Sequence, residues 1–160
     1  MTPIDIHGPA EFVAALQATL EAALARNART LLWVDPDFGF WPLDRPAVID
    51  TLGPWLRRPG RRLVLLAERY DRLERSHPRF TRWRCDWGHV IDTREPGDTA
   101  AADLPSCVLD DGPTLLTLWQ RDPPLGRARQ DAAEAATARE QLDAVLQRSV
   151  SAWPLRPLGL

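Results

Sequence analysis

The sequence predicts an α/β domain: a mixed, mostly parallel sheet with helices on both faces and an antiparallel hairpin towards the carboxyl end. Three stretches predict it. Thr30 to Leu43 reads T-L-L-W-V-D-P-D-F-G-F-W-P-L, and its apolar run Leu31 to Asp35 ends in a carboxylate, as a buried strand does where it opens into a loop. Arg62 to Ala67, R-L-V-L-L-A, is apolar throughout, like a strand covered on both faces. A helical pattern lies between the two runs, so they pair in parallel through a crossover. Ser106 to Asp110 and Thr114 to Trp119 flank Asp111-Gly112 and form the hairpin, with Pro113 making its turn irregular.

Taken in order, Pro9 to Asn27 predicts a first helix, with proline in the opening turn and Phe12, Val13, Leu16, Leu20, Ala23 and Leu24 on one face. After the first strand, Pro36, Gly39 and Pro42 hold Asp35, Asp37, Phe38, Phe40 and Trp41 on a loop. Asp44 can cap a second helix that carries Val48, Ile49, Leu52 and Leu56, with Pro54 bringing a kink or an early stop. A third helix from Arg69 breaks near Ser76-His77-Pro78, because proline disfavours helix at the residue before it, and resumes towards Cys85. Gly88 to Thr93 predicts a third strand and Arg94 to Pro105 a loop. Arg121 to Gly126 connects the hairpin to a helix over Arg127 to Ser149 that buries Ala135, Ala138, Leu142, Val145 and Leu146. The tail S-A-W-P-L-R-P-L-G-L is too apolar to float, so Trp153, Leu155, Leu158 and Leu160 dock on the body or on a partner.

With 160 residues, 44% of them hydrophobic, the chain is sized for one core and one domain: a helix over 1–28, an α/β core over 29–149 and an apolar tail over 150–160. No apolar run reaches the length of about 18 residues that a membrane helix needs. The start M-T-P-I-D-I-H-G-P lacks the basic and apolar regions of a secretory signal. Cytoplasmic location is therefore expected, with Cys85 and Cys107 as buried thiols.

The formal net charge of -2 hides an uneven distribution. All twenty basic residues are arginine. Between Arg57 and Arg84 ten arginines face only Glu68, Asp71 and Glu74, an excess of seven positive charges, so the rest of the chain carries nine net negative charges. Arginine's planar fork suits phosphate. An ordinary solvated helix also accounts for part of the segment, since Glu68 with Arg72 and Asp71 with Arg75 stand at i,i+4 in the favourable order. On overall charge, nucleic acid is not expected as a partner.

Asp35 and Asp37, with Asp92 at the end of the third strand, form a weak metal or acid/base candidate. Equally, Asp37 can order a turn while Asp35 accepts backbone or arginine hydrogen bonds. His77 and His89 have no serine or cysteine beside them that forms a triad. Among seven tryptophans, Trp33, Trp55 and Trp83 fall on apolar faces, while Trp41 and Trp153 are candidates for a contact surface.

The loop V-D-P-D-F, the helix start L-D-R-P, the stretch R-L-E-R-S-H-P-R-F and the ending V-L-Q-R-S with P-L-R-P-L-G-L follow one another in a characteristic order. In that order, over Thr30 to Leu160, the chain resembles a bacterial family of unknown function built on half of a phospholipase D-like fold. The superfamily's signature is His-x-Lys-x4-Asp, whose histidine attacks phosphorus and whose lysine binds phosphate oxygens. By position it falls at S-C-V-L-D-D-G. With Asp110 as the motif aspartate, Asp103 and Pro105 replace histidine and lysine; with Asp111, Leu104 and Ser106 do.

The resemblance therefore implies an eroded site with no catalytic residue, no cofactor, and a role as a binding or regulatory module. Asp35, Asp37, Phe38 and Trp41 would line one end of the sheet, with His77, Arg72 and Arg75 as anion contacts. Since such sites are assembled from two halves, it also implies a homodimer, or another protein as partner. Two alternatives stand beside it: a metal-assisted or residual phosphodiesterase using Asp35 and Asp37, and nucleic-acid binding through Arg57 to Arg84.

Overall fold

A computed structural model describes residues 1–97 and 104–155 of the chain. In chain order the elements are β1 (Ile4–His7), α1 (Pro9–Ala25), β2 (Thr30–Val34), α2 (Pro46–Leu56), β3 (Arg62–Leu66), α3 (Asp71–Ser76), α4 (Pro78–Trp83), a 3-10 turn (Arg84–Trp87), β4 (Ile91–Glu95), β5 (Ser106–Asp110), β6 (Thr114–Gln120), β7 (Leu125–Gln130), α5 (Ala132–Gln147) and β8 (Val150–Ser151). All the strands join one sheet of order β1-β7-β6-β5-β2-β3-β4-β8.

Strand alternation sorts the core into two layers. Leu31, Trp33, Leu63 and Leu65 face one side, where α1 and α2 supply Phe12, Leu16, Leu20, Leu52 and Trp55, and the short helices α3 and α4 supply Leu73 and Phe80. Leu32, Val34 and Leu66 face the other side and pack with Cys107, Leu109 and Leu115 under Ala135 and Leu142 of α5. The central strands are covered on both faces, which is why their sequences run apolar without a break.

The α/β architecture is as the sequence predicts, but the parallel share of the sheet is smaller. Only β2 with β3 and β3 with β4 are parallel. The pairs β1–β7, β2–β5, β4–β8, β5–β6 and β6–β7 are antiparallel. The difference comes from strands the pattern does not reveal. Ile4–His7 is four residues long, and Leu125–Gln130 reads L-G-R-A-R-Q, a run without β-branched or aromatic residues whose strand state is decided by pairing. A Cβ on Gly126 would lie 2.1 Å from the Thr117 carbonyl oxygen of β6, so only glycine permits that close approach. The helix expected from Arg127 accordingly begins at Ala132, where the Asp131 side chain accepts from the Glu134 N–H.

Other boundaries move for local reasons. The third strand starts at Ile91 and extends through Arg94 and Glu95, two residues expected to be loop; the remainder of that loop lies partly outside the described residues. Pro54 sits inside α2, which stops at Leu56 without the Asp44 cap. Asp44 instead accepts from the backbone N–H groups of Arg79 and Phe80, at the start of α4. His77 stands at the break between α3 and α4. Cys107 is buried, whereas Cys85 is exposed. In the tail, Trp153 stacks on Tyr70 at 5.2 Å and lies under the Arg84 guanidinium. Leu155 is exposed, and Leu158 and Leu160 lie outside the described residues. No helix among the described residues is long and apolar enough to cross a membrane.

The ring of Phe80 is wholly buried and stacks 6.1 Å from that of Trp33. Phe80→Ala is expected to cost about 3 to 5 kcal/mol, read as a lower urea midpoint at unchanged slope. An unchanged midpoint would show that α4 contributes nothing to the core.

Candidate functional site

The loop after β2 is built around one carboxylate. Asp35 directly follows the strand, its N–H donates to the Leu66 carbonyl at 3.2 Å, and its side chain is 0% exposed. Oδ2 accepts from the N–H groups of Asp37 at 3.0 Å and Phe38 at 2.7 Å, which turns the chain back over the strand end. Oδ1 accepts from the Ser106 hydroxyl at 2.6 Å. Arg121, in the β6–β7 connection, spans the carboxylate, with Nε 3.3 Å from Oδ1 and Nη2 3.2 Å from Oδ2.

Asp37, also buried, repeats the arrangement. Its Oδ1 accepts from Gly39 N–H at 2.8 Å and from Arg121 Nη2 at 3.2 Å. Its Oδ2 faces Arg72 at 3.3 Å and Arg69 at 3.8 Å. Two full negative charges are thereby held out of water by three guanidiniums and four N–H or O–H groups, the condition under which buried charge is tolerated.

Phe38 adopts φ +57, an unusual conformation for a bulky residue. It is fixed from both sides: its N–H donates to Asp35, and its carbonyl lies 2.9 Å from His77 Nε2. His77 is itself buried, and burial holds its pKa below the ordinary 6.5 although the Phe38 carbonyl and Asp44 pull the other way. Through its contact with the Phe38 carbonyl the ring clamps the loop.

Of the residues singled out in the sequence, Asp35, Asp37, Phe38 and His77 do meet. They form a buried clasp, not the lining of an open end. Trp41, expected on a contact surface, is 1% exposed, with its ring edge-on to Phe38 at 4.8 Å and to Phe12 at 5.8 Å. Arg72 joins the clasp through Asp37, while Arg75 remains exposed on α3 and pairs with Asp71 at 3.5 Å. The expected Glu68–Arg72 pair is replaced by Glu68–Arg69.

Asp92 stands apart, paired with Arg62 at 2.7 Å and Arg94 at 3.6 Å, so the three carboxylates do not converge on a metal site. The described residues contain no cluster of three potential His, Cys, Asp or Glu ligands. Ser106 and Arg121 are the members that sequence reading missed. They lie 71 and 86 residues from Asp35, and no local pattern joins them. Trp119, which drew no attention in the sequence, is the exposed tryptophan, at 67%.

No protein-family model matches the chain, and no curated protein matches it. Solved structures do. TrmBL2, an archaeal chromatin protein whose structure shows a novel mode of DNA binding, matches 95% of this chain with TM-score 0.65 and 13% identity, and this chain spans only 55% of it. A phosphatidylserine synthase from Haemophilus influenzae matches at 0.60 and 12%, covering 94% of this chain and 39% of that one. Nuc from Salmonella typhimurium, a phospholipase D family member, matches at 0.58 and 12%, covering 96% of this chain and all of that one, 100%. The fold is phospholipase D-like.

At the place of the phospholipase D signature, Asp110 is buried and accepts from Gly112 N–H at 2.8 Å, Thr114 N–H at 3.1 Å and Arg26 Nε at 2.7 Å. Asp111 is more open and holds Arg26 and the Arg29 N–H. Of the positions set against the signature in the Asp111 register, Leu104 and Ser106 are both buried. In the Asp110 register, Asp103 lies outside the described residues and Pro105 is exposed. The expectation that nucleic acid is not a partner is overturned by TrmBL2: a DNA-binding protein contains this fold.

Two outcomes are expected. Asp35→Ala leaves Arg121 and two loop N–H groups without their acceptor and lowers the unfolding free energy by about 3 kcal/mol, whereas Asp92→Ala, which breaks half-exposed pairs, costs below about 1 kcal/mol. Equal urea midpoints for the two variants would refute the clasp. Because the folded chain binds the His77 proton less readily than the unfolded one, stability is present above pH about 6.5 and is lost as pH falls. His77→Gln should therefore flatten the decline between pH 7 and 5 seen in chemical denaturation; parallel curves would rule this out.

Proposed function

We propose that this chain is a non-catalytic phospholipase D-like module, one cytoplasmic domain, whose ligand is nucleic acid. The observation that carries this reading is the state of the arginine segment. Arg57, Arg58, Arg61, Arg79 and Arg82 have no carboxylate within ion-pair distance among the described residues, and all but Arg61 are exposed. Uncompensated guanidiniums are the electrostatic footprint of a phosphate backbone. The shared fold with a DNA-binding chromatin protein supports the choice of ligand.

The non-catalytic half rests on chemistry. The chain has no lysine at all, and the imidazole and ammonium that perform attack and phosphate binding are replaced in either register of the signature. A metal-assisted route through the acidic loop is not favoured, since all four oxygens of Asp35 and Asp37 already face donors. The net charge of -2 limits long-range attraction, so binding is local and sensitive to salt.

Fluorescence anisotropy with a 20-base-pair duplex is the test. For about four phosphate contacts, affinity should fall roughly 100-fold between 50 and 200 mM salt, with no phosphodiester hydrolysis above buffer in the presence or absence of magnesium. Absence of binding at 50 mM salt would refute the ligand, and turnover by the wild-type chain would refute the non-catalytic reading.

A further inference from the structure

The ten arginines between Arg57 and Arg84 do not form one surface. Arg62 opens β3 opposite Thr30, at the amino edge of the parallel strands, whereas Arg69 and Arg72 reach Asp37, beyond their carboxyl edge. Five strand residues, roughly 17 Å, separate the two groups. At the carboxyl edge Arg69, Arg72 and Arg121 hold Asp35 and Asp37, and Arg75 holds Asp71.

The amino edge is arranged differently. There the turn after α1 and the turn after α2 lie side by side, joined by the Arg62 N–H donating to the Arg29 carbonyl at 3.0 Å. Asn27, in the left-handed region at φ +64, presents its side-chain carbonyl to two guanidiniums: Arg61 Nη2 at 2.6 Å and Arg58 Nη1 at 3.3 Å. Arg61 Nη1 also donates to the Pro59 carbonyl at 3.2 Å, while its Nε is buried without any hydrogen-bond partner. Arg57 stands beside them, exposed.

These cations are held in place by neutral oxygens, so they are positioned without being neutralised. The carboxyl ends of α1 and α2 point to the same edge, each contributing only about half a negative charge. Asp110 and Asp111 also lie there but are engaged by Arg26 and the Arg29 N–H, so Arg57, Arg58 and Arg61 keep no carboxylate of their own among the described residues. Two guanidiniums converging on one amide oxygen repel each other, and an anion bridging them removes that repulsion.

We infer that Arg57, Arg58 and Arg61 seat the phosphodiester backbone of nucleic acid at the amino edge of the parallel strands, the end of the sheet opposite the acidic loop. This rests on the nucleic-acid reading above and assigns its surface. Asn27 is a positioning residue: it aims Arg58 and Arg61 without contributing charge.

The test is anisotropy with the same duplex at 50 mM salt, with folding checked by circular dichroism. Arg57→Ala with Arg58→Ala, two exposed side chains, should weaken binding at least tenfold and lower the salt slope by about two. Arg69→Ala with Arg75→Ala, two exposed side chains already paired with carboxylates, removes equal charge from the opposite edge and should change affinity by less than twofold. Asn27→Asp places a carboxylate between the guanidiniums; it should raise the melting temperature and weaken binding at least tenfold. Equal losses from the two arginine pairs, or loss only from Arg69 and Arg75, would overturn the assignment while leaving nucleic-acid binding intact. No binding by the wild-type chain would remove the underlying reading as well.

Discussion

Asp35 carries a full negative charge at the end of a strand buried on both faces, and much of the carboxyl edge is arranged to keep it there. Its two oxygens gather the loop that follows it, the serine that opens β5 and an arginine from the β6–β7 connection. Two distant segments are thereby pinned to the loop at one point, in a setting where an unpartnered charge would be far too costly to bury. Arg121 remains partly exposed, so the group is an anchored rim with one side in water.

The aromatic residues explain why this rim is closed. Phe38, Trp41, Phe12, Trp33 and Phe80 pack ring against ring beneath it, and the left-handed turn at Phe38 drives its ring inward. A loop that reads in sequence as a row of exposed ligands is therefore the lid of the core. In a phospholipase D-like fold this leaves the carboxyl edge occupied by the chain's own carboxylates and arginines.

Charge is divided by the sheet. The parallel strands carry Arg69, Arg72 and Arg75 to the acidic edge, where carboxylates meet them, and leave Arg57, Arg58 and Arg61 at the other, where a neutral asparagine meets two of them. Coulomb attraction to phosphate depends on which charges are already compensated nearby, so a count of arginines along the chain says little about where an anion binds.

The sequence by itself determined the α/β architecture, the parallel pairing of Thr30–Val34 with Arg62–Leu66, the hairpin of β5 and β6 and the break at His77. These follow from short-range causes: apolar runs, turn residues, and proline's effect on its neighbour. Only the tertiary structure decided the rest. Strands β1 and β7 exist because they pair with each other and with β6, not because Ile4–His7 or Leu125–Gln130 prefer extended backbone. Asp44 caps a helix 35 residues away, Trp41 is inside and Trp119 outside, and Ser106 and Arg121 complete the Asp35 clasp. Each depends on which distant segment arrives next to it, a long-range placement that composition and periodicity do not encode.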